Sequence, residues 1–155
     1  MGLIDILENI LTPRKEKMRV DLKEIYCKRK DDDFIKQFNT TVVGGELRNV
    51  DGSERQDAMM KLKVGQKVRM IWESGEGGKK DKINLLLGGR GHELDISQCF
   101  GRLSDKVTAD VIRWLTRDNI VTAAKVTRIT GGTRKRPKLG CVLQLTTYPG
   151  PKKKA

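Results

Sequence analysis

Residues 119–155 read NIVTAAKVTRITGGTRKRPKLGCVLQLTTYPGPKKKA. Ile120 to Ile129 and Leu139 to Tyr148 are rich in β-branched and apolar residues, which predicts two long strands. Gly131, Gly132 and Pro137 punctuate the segment between them, TGGTRKRPKLG, so the pair reads as a hairpin with a long loop. In the second strand Cys141, Leu143 and Leu145 are expected to face the core, and Val142, Gln144, Thr146 and Tyr148 to face out. The loop gathers Arg134, Lys135, Arg136 and Lys138. Across the whole stretch there are nine Lys or Arg and no Asp or Glu, so it carries +9 of the chain's net +12. Charge that one-sided points to a binding face for an anion, nucleic acid first among them.

Upstream, Ser104 reads as a helix N-cap with Asp105 in the first turn. Val107, Val111, Trp114 and Leu115 then form one apolar stripe. Lys67 to Glu73 alternates, with Val68, Met70 and Trp72 on one side and Lys67 and Arg69 on the other, as in a half-buried strand. The loop SGEGGKK separates it from a second strand, Ile83 to Leu87, and Gly88 to Gly91 turns the chain again. Ser53 and Gln56 have capping-box spacing before a short helix through Ala58, Met59 and Leu62. Phe38 to Val43 is a β-rich run stopped by Gly44-Gly45. Five or more short strands without a βαβ rhythm predict a mainly β domain with two or three short helices, a small barrel rather than a doubly wound sheet.

Before this domain, residues 1–36 read as an appendage. Leu3, Leu7, Ile10 and Leu11 share a helical face, and Thr12-Pro13 ends that helix. Its acids, Asp5 and Glu8, argue against a signal peptide and a membrane-surface anchor, and favour packing on the barrel or on another copy of the chain. Arg14 to Lys36 is a mixed-charge linker with room for a strand near Leu22 to Cys27. Residues 37–149 are the barrel domain and 150–155 a basic tail. No apolar run reaches the roughly 20 residues that span a bilayer. Three scattered cysteines, Cys27, Cys99 and Cys141, give no disulfide framework, which predicts a reducing, cytoplasmic setting.

Catalytic patterns are missing. His92 is the single histidine and has no nucleophile or acid in a recognisable arrangement beside it. One His and three separated Cys do not build a zinc site. The glycines and lysines of 75–80 lack P-loop spacing. Asp81, Glu93 and Asp95 are near in sequence but nothing aligns them on a metal, and structural roles suit them better. The expectation is a binding module without cofactor or metal, not an enzyme.

The order of blocks from Thr41 to Tyr148 carries more. VVGGELRN is followed by GSERQDAMMKLKVGQKVRMIW, a Gly/Lys loop, DKINLLL, FGRLSDKVTADVIRWL, AKVTRITGG and LGCVLQLTTY. That succession resembles a HIRAN domain, found at the front of some helicase-like DNA translocases and as a free-standing bacterial protein. The resemblance implies a small OB-like or SH3-like β-barrel of five or six strands, with a helix after the Gly101-Arg102-Leu103 block. It also implies DNA binding, with a preference for the 3′ end of a single strand, and leaves room for a helicase-like partner. Arg48 takes the place of an Arg that aromatics follow in the family, but Asn49 and Val50 follow it here. Gly78-Lys79-Lys80-Asp81 stands for an Asn-Pro-aromatic-Asp motif and keeps only the Asp. Gly101-Arg102-Leu103-Ser104 stands for Gly-aromatic-Leu-Pro. Lysine and arginine in place of aromatics predict contact with phosphates more than stacking on bases.

The candidate nucleic-acid contacts are thus Arg48, Lys79, Lys80, Asp81, Arg102, Arg134, Lys135, Arg136, Lys138 and Tyr148. Tyr148, in the outward phase of its strand, is the leading stacking candidate and Phe100 the next, whereas Trp72 and Trp114 are expected in the core. Asp81 with Arg48 is read as the remnant of a strand-end pocket, its carboxylate accepting from a terminal hydroxyl or from Arg48 or Lys80. The partner expected is nucleic acid, DNA favoured, with no membrane. The competing reading is a protein-interaction or structural barrel that docks a partner, or a second copy, through the N-terminal helix.

Overall fold

The structure, a computed structural model, describes residues 22–25, 34–49, 51–75, 80–88 and 94–150. The expected N-terminal helix, Lys79, His92, Glu93 and the tail beyond Gly150 lie outside them. The elements run β1 (Leu22–Ile25), β2 (Lys36–Thr41), α1 (Arg55–Met59), β3 (Lys67–Glu73), β4 (Lys82–Leu86), a 3-10 turn (Ile96–Gln98), β5 (Cys99–Arg102), α2 (Asp105–Arg117), β6 (Ile120–Thr130) and β7 (Gly140–Pro149). The domain is mainly β, as its turn-punctuated apolar runs predict.

Six strands form a curled antiparallel half-barrel in the order β2-β7-β6-β3-β4-β5. Val43, just past β2, exchanges both backbone hydrogen bonds with Arg102 of β5, each 2.9 Å, so the two outer strands meet at one bridge. Gly101 makes that approach possible. A Cβ there would collide with Val42 Cγ1 and lie 2.9 Å from the Val43 carbonyl oxygen. Along one edge β3 is shared in tandem: Lys67 and Val68 pair with β6, and Met70 to Glu73 pair with β1. The strand for which the linker leaves room near Leu22 thus forms, over Leu22–Ile25, and joins the sheet.

The core lies inside the curl. Met70, Ile83, Leu85, Phe100, Leu103, Val126, Cys141, Leu143 and Leu145 are all buried there, and α2 covers one side with Val111. As expected, Ser104 caps α2, its Oγ accepting from Val107 N at 3.4 Å. A second, smaller cluster of Ile71, Leu86, Ile96 and Cys99 lies on the other side of the β3–β4 hairpin. These interior strands are therefore covered on both faces, and the expected alternation fails. Arg69, expected outward, is 7% exposed. Its Nη2 and Nε donate to the two carboxylate oxygens of Glu24 on β1 at 2.7 and 3.1 Å. Burial without that partner would cost several kcal/mol, and the bidentate geometry offsets the cost.

The capping box before α1 does not form. Glu54 occupies the cap position without a side-chain bond, and Ser53 Oγ turns back to Asp51. The freed Gln56 bonds to the backbone of Gly45 and Leu139 instead.

Candidate nucleic-acid interface

The β6–β7 loop leaves the sheet where Thr130 pairs with Gly140. Thr133 and Arg136 close a turn at its tip: Thr133 N donates to the Arg136 carbonyl at 3.0 Å and Arg136 N to Thr133 Oγ1 at 3.1 Å. Arg134, Lys135, Arg136 and Lys138 are all exposed, and none forms an ion pair among the described residues. Four cations on one short finger repel each other, and an anion would relieve that repulsion.

The root of the finger is tied to the start of the domain. Gln56 on α1 donates from Nε2 to the carbonyls of Leu139 and Gly45, both at 3.0 Å, and accepts from Leu139 N at 2.7 Å. This brings the turn 44–48 beside the finger. Arg48 on that turn is largely exposed, with its Nη2 2.9 Å from Glu54 Oε1. Such a surface pair is worth little and releases readily to a stronger anion.

Beneath the turn lies a cation the sequence reading missed. Arg55 is 4% exposed. Its Nη1 donates to the Gly44 carbonyl at 3.0 Å and its Nε to Asn49 Oδ1 at 3.1 Å, while Asn49 Nδ2 donates onward to the Ile96 carbonyl at 2.9 Å. No carboxylate pairs with Arg55 among the described residues. A Cβ on Gly44 would lie 2.9 Å from Arg55 Nη1 and 4.0 Å from Arg102 Cγ, so the two arginines approach the same point. Arg102 Nε is buried and has no hydrogen-bond partner among the described residues. Nothing local marks Arg55 in the sequence, since a lone Arg in a short helix reads as a solvated residue.

The structure separates the remaining candidates from this end. Antiparallel pairing of β3 with β6 sends the β3–β4 tip, with Lys80 and Asp81, to the opposite end of the strands. Asp81 accepts from Trp72 Nε1 at 3.0 Å and from Gly75 N at 2.7 Å. The expected link to Arg48 is therefore absent, because the two residues stand at opposite ends of the sheet. Lys80 lies 3.9 Å from Asp105 rather than on Asp81.

Tyr148, expected to face out, is buried. It pairs with Val121, far along the ladder from the finger, and is 2% exposed. β7 lies between β2 and β6, and Leu145 through Tyr148 are buried in unbroken succession, so no outward face exists there. Phe100 is also buried. Trp72 and Trp114 are half-buried against the core, as expected. Among the described residues Phe34 is the exposed aromatic, and it lies at the start of β2, away from the finger.

Asp95 serves the fold rather than chemistry. It caps the 3-10 turn by accepting from Ser97 N at 3.0 Å, and hydrogen bonds from Ser97 hold its carboxyl below the usual range. Burial pushes both the Cys99 thiol and the Cys141 thiol up, the latter to about 11. Among the described residues no group of His, Cys, Asp and Glu is placed to hold a metal ion, and no helix is long and apolar enough to cross a membrane. No protein-family model, curated protein or solved structure matches the chain.

Proposed function

We propose that the chain is a non-catalytic nucleic-acid-binding module that grips the phosphate backbone through the β6–β7 finger and the arginines at its root. The observation that carries this reading is the placement of Arg134, Lys135, Arg136 and Lys138. All four are exposed and without an ion pair among the described residues, and Gln56 pins the finger beside Arg48, Arg55 and Arg102. Phosphate contacts of this kind give affinity with little sequence preference and a steep salt dependence. The finger end shows no exposed aromatic among the described residues, which favours backbone contact over base stacking.

The order of blocks that resembles HIRAN domains, with the OB-like or SH3-like barrel it implies, favours DNA, and single-stranded DNA over duplex. Within this reading Asp81 gives a 3′ hydroxyl no special contact, because Trp72 and the Gly75 amide already occupy its oxygens.

Fluorescence anisotropy over a salt series tests the proposal, using single-stranded DNA with free or phosphorylated 3′ ends, duplex DNA and RNA. Changing Arg134, Lys135, Arg136 and Lys138 together to Ala should weaken binding to every sequence. The slope of log K against log salt should fall by up to roughly 3, at about 0.7 per phosphate contact on a single strand. A slope that does not change removes the finger from the interface.

A further inference from the structure

At the far end of the sheet from the finger, the outer face of α2 and the β3–β4 tip enclose a groove of about 810 Å³. Ala109, Ile112, Thr108 and Thr116 give it an apolar and methyl-rich lining. Lys80 stands on the hairpin side, and Lys106, Arg113 and Arg117 on the helix side. Its two carboxylates are already engaged, Asp81 by Trp72 and Gly75 and Asp105 by Lys80. Arg113 pairs with Asp110 outside the lining at 3.0 Å. Lys106 and Arg117 pair with no carboxylate among the described residues. The groove is thus apolar along its length and positive at its rim, a surface that suits an acidic amphipathic helix.

We propose that its occupant is the chain's own segment Leu3–Leu11, docked in cis. The segment reads LIDILENIL, with Leu3, Leu7, Ile10 and Leu11 on one helical face. It carries Asp5 and Glu8 and no basic residue, the charge opposite to the groove's rim. As a helix it is about 13 Å long, within the length of α2. Connectivity places it at the right end. β1 begins at Leu22, which pairs with Glu73, the last residue of β3, and the tip that follows Glu73 carries Lys80 and Asp81. Residues 12–21 form the tether and reach up to roughly 33 Å when extended, so either end of the groove is accessible. A tether that short holds the helix at a millimolar effective concentration, so modest contacts keep it docked. This inference stands apart from the finger at the opposite end and does not depend on nucleic-acid binding.

Hydrogen exchange of the full chain, read by mass spectrometry over Leu3–Leu11, tests it alongside sedimentation at micromolar concentration. In the parent, amides of the segment should exchange about tenfold or more slowly than in a free peptide of the same sequence, and the chain should sediment as a monomer. The pair Lys106→Glu and Arg117→Glu should abolish that protection, and so should Asp5→Lys with Glu8→Lys. Combining all four should restore it. Both groove residues are exposed, so the reversed chain should keep the parent's slow amide exchange in β3, β6 and β7, which shows that the barrel itself stays folded. An unprotected segment in the parent overturns the proposal, as does protection indifferent to both reversals. Protection that appears only with dimerisation assigns the groove to a second copy and overturns docking in cis. An unprotected segment together with single-strand binding lost on Lys106→Glu and Arg117→Glu assigns the groove to nucleic acid instead.

Discussion

Gln56 and Leu139, 83 residues apart, exchange a pair of hydrogen bonds: the side-chain oxygen accepts from Leu139 N at 2.7 Å and the side-chain nitrogen donates to its carbonyl at 3.0 Å. A side-chain amide here does what a neighbouring strand would do. It satisfies the last backbone groups before β7 and fixes the direction in which the finger leaves the sheet.

Replacing Gln56 by Leu keeps the bulk and removes these two bonds and the third, to the Gly45 carbonyl. The Leu139 and Gly45 backbone groups then have to find water, at a cost on the order of 1–3 kcal/mol. Thermal melts should show that loss. If the finger binds phosphate, affinity for single-stranded DNA should also fall, because its four cations lose their common orientation. Unchanged affinity would mean that the finger needs no fixed root.

Asp81→Ala should be a stability variant. It orphans the Trp72 indole N–H and the Gly75 amide, each half-buried, and on the order of 1–3 kcal/mol should be lost. Binding to free and 3′-phosphorylated strands should change by the same factor. A loss confined to the free 3′ end would place the hydroxyl on Asp81 after all.

Trp114 packs edge-on against Phe38, with ring centroids 5.9 Å apart, and Lys36 Nζ stands 4.3 Å above the indole. Trp114→Ala should cost on the order of 3 kcal/mol, the low end for an aromatic truncated in a core, because the ring is only half-buried. Lys36→Ala should cost about 0.5–1 kcal/mol through the lost cation–π contact. Urea titration of the two variants separates the two amounts. A Trp114 variant that melts like the parent while losing DNA would move the interface onto α2.

The buried thiols make stability fall in alkali. In the folded chain Cys141 holds its proton up to about 11 and Cys99 is shifted the same way, while an unfolded thiol ionises near its ordinary value of about 8.5. Between those values the unfolded state binds fewer protons, so raising the pH favours unfolding. A Cys99→Ala, Cys141→Ala chain should show a flatter decline of stability from about pH 9 to 11 than the parent. Below pH 8 both thiols should resist alkylation until the fold is opened.

Much of this fold follows from local rules. The Ser104 cap and the stripe Val107, Val111, Trp114 give α2, and β-branched runs punctuated by Gly give β3, β4, β6 and β7 nearly to the residue. Those signals are local, because capping and periodicity act within a few residues of chain. The acid-free segment 119–155 likewise shows in the sequence where the positive charge lies, since charge is a property of composition. What the sequence could not decide is which faces meet water. Alternation points Arg69 and Tyr148 outward, and alternation holds only where one side of a strand is solvated. Here β3 and β7 are interior strands covered on both sides. Nor could spacing show that Gln56 holds Leu139, that Arg55 lies buried beside Arg102, or that Asp81 and Arg48 stand at opposite ends. Those relations join residues far apart in the chain, and they exist only once the sheet has curled far enough for Val43 to meet Arg102.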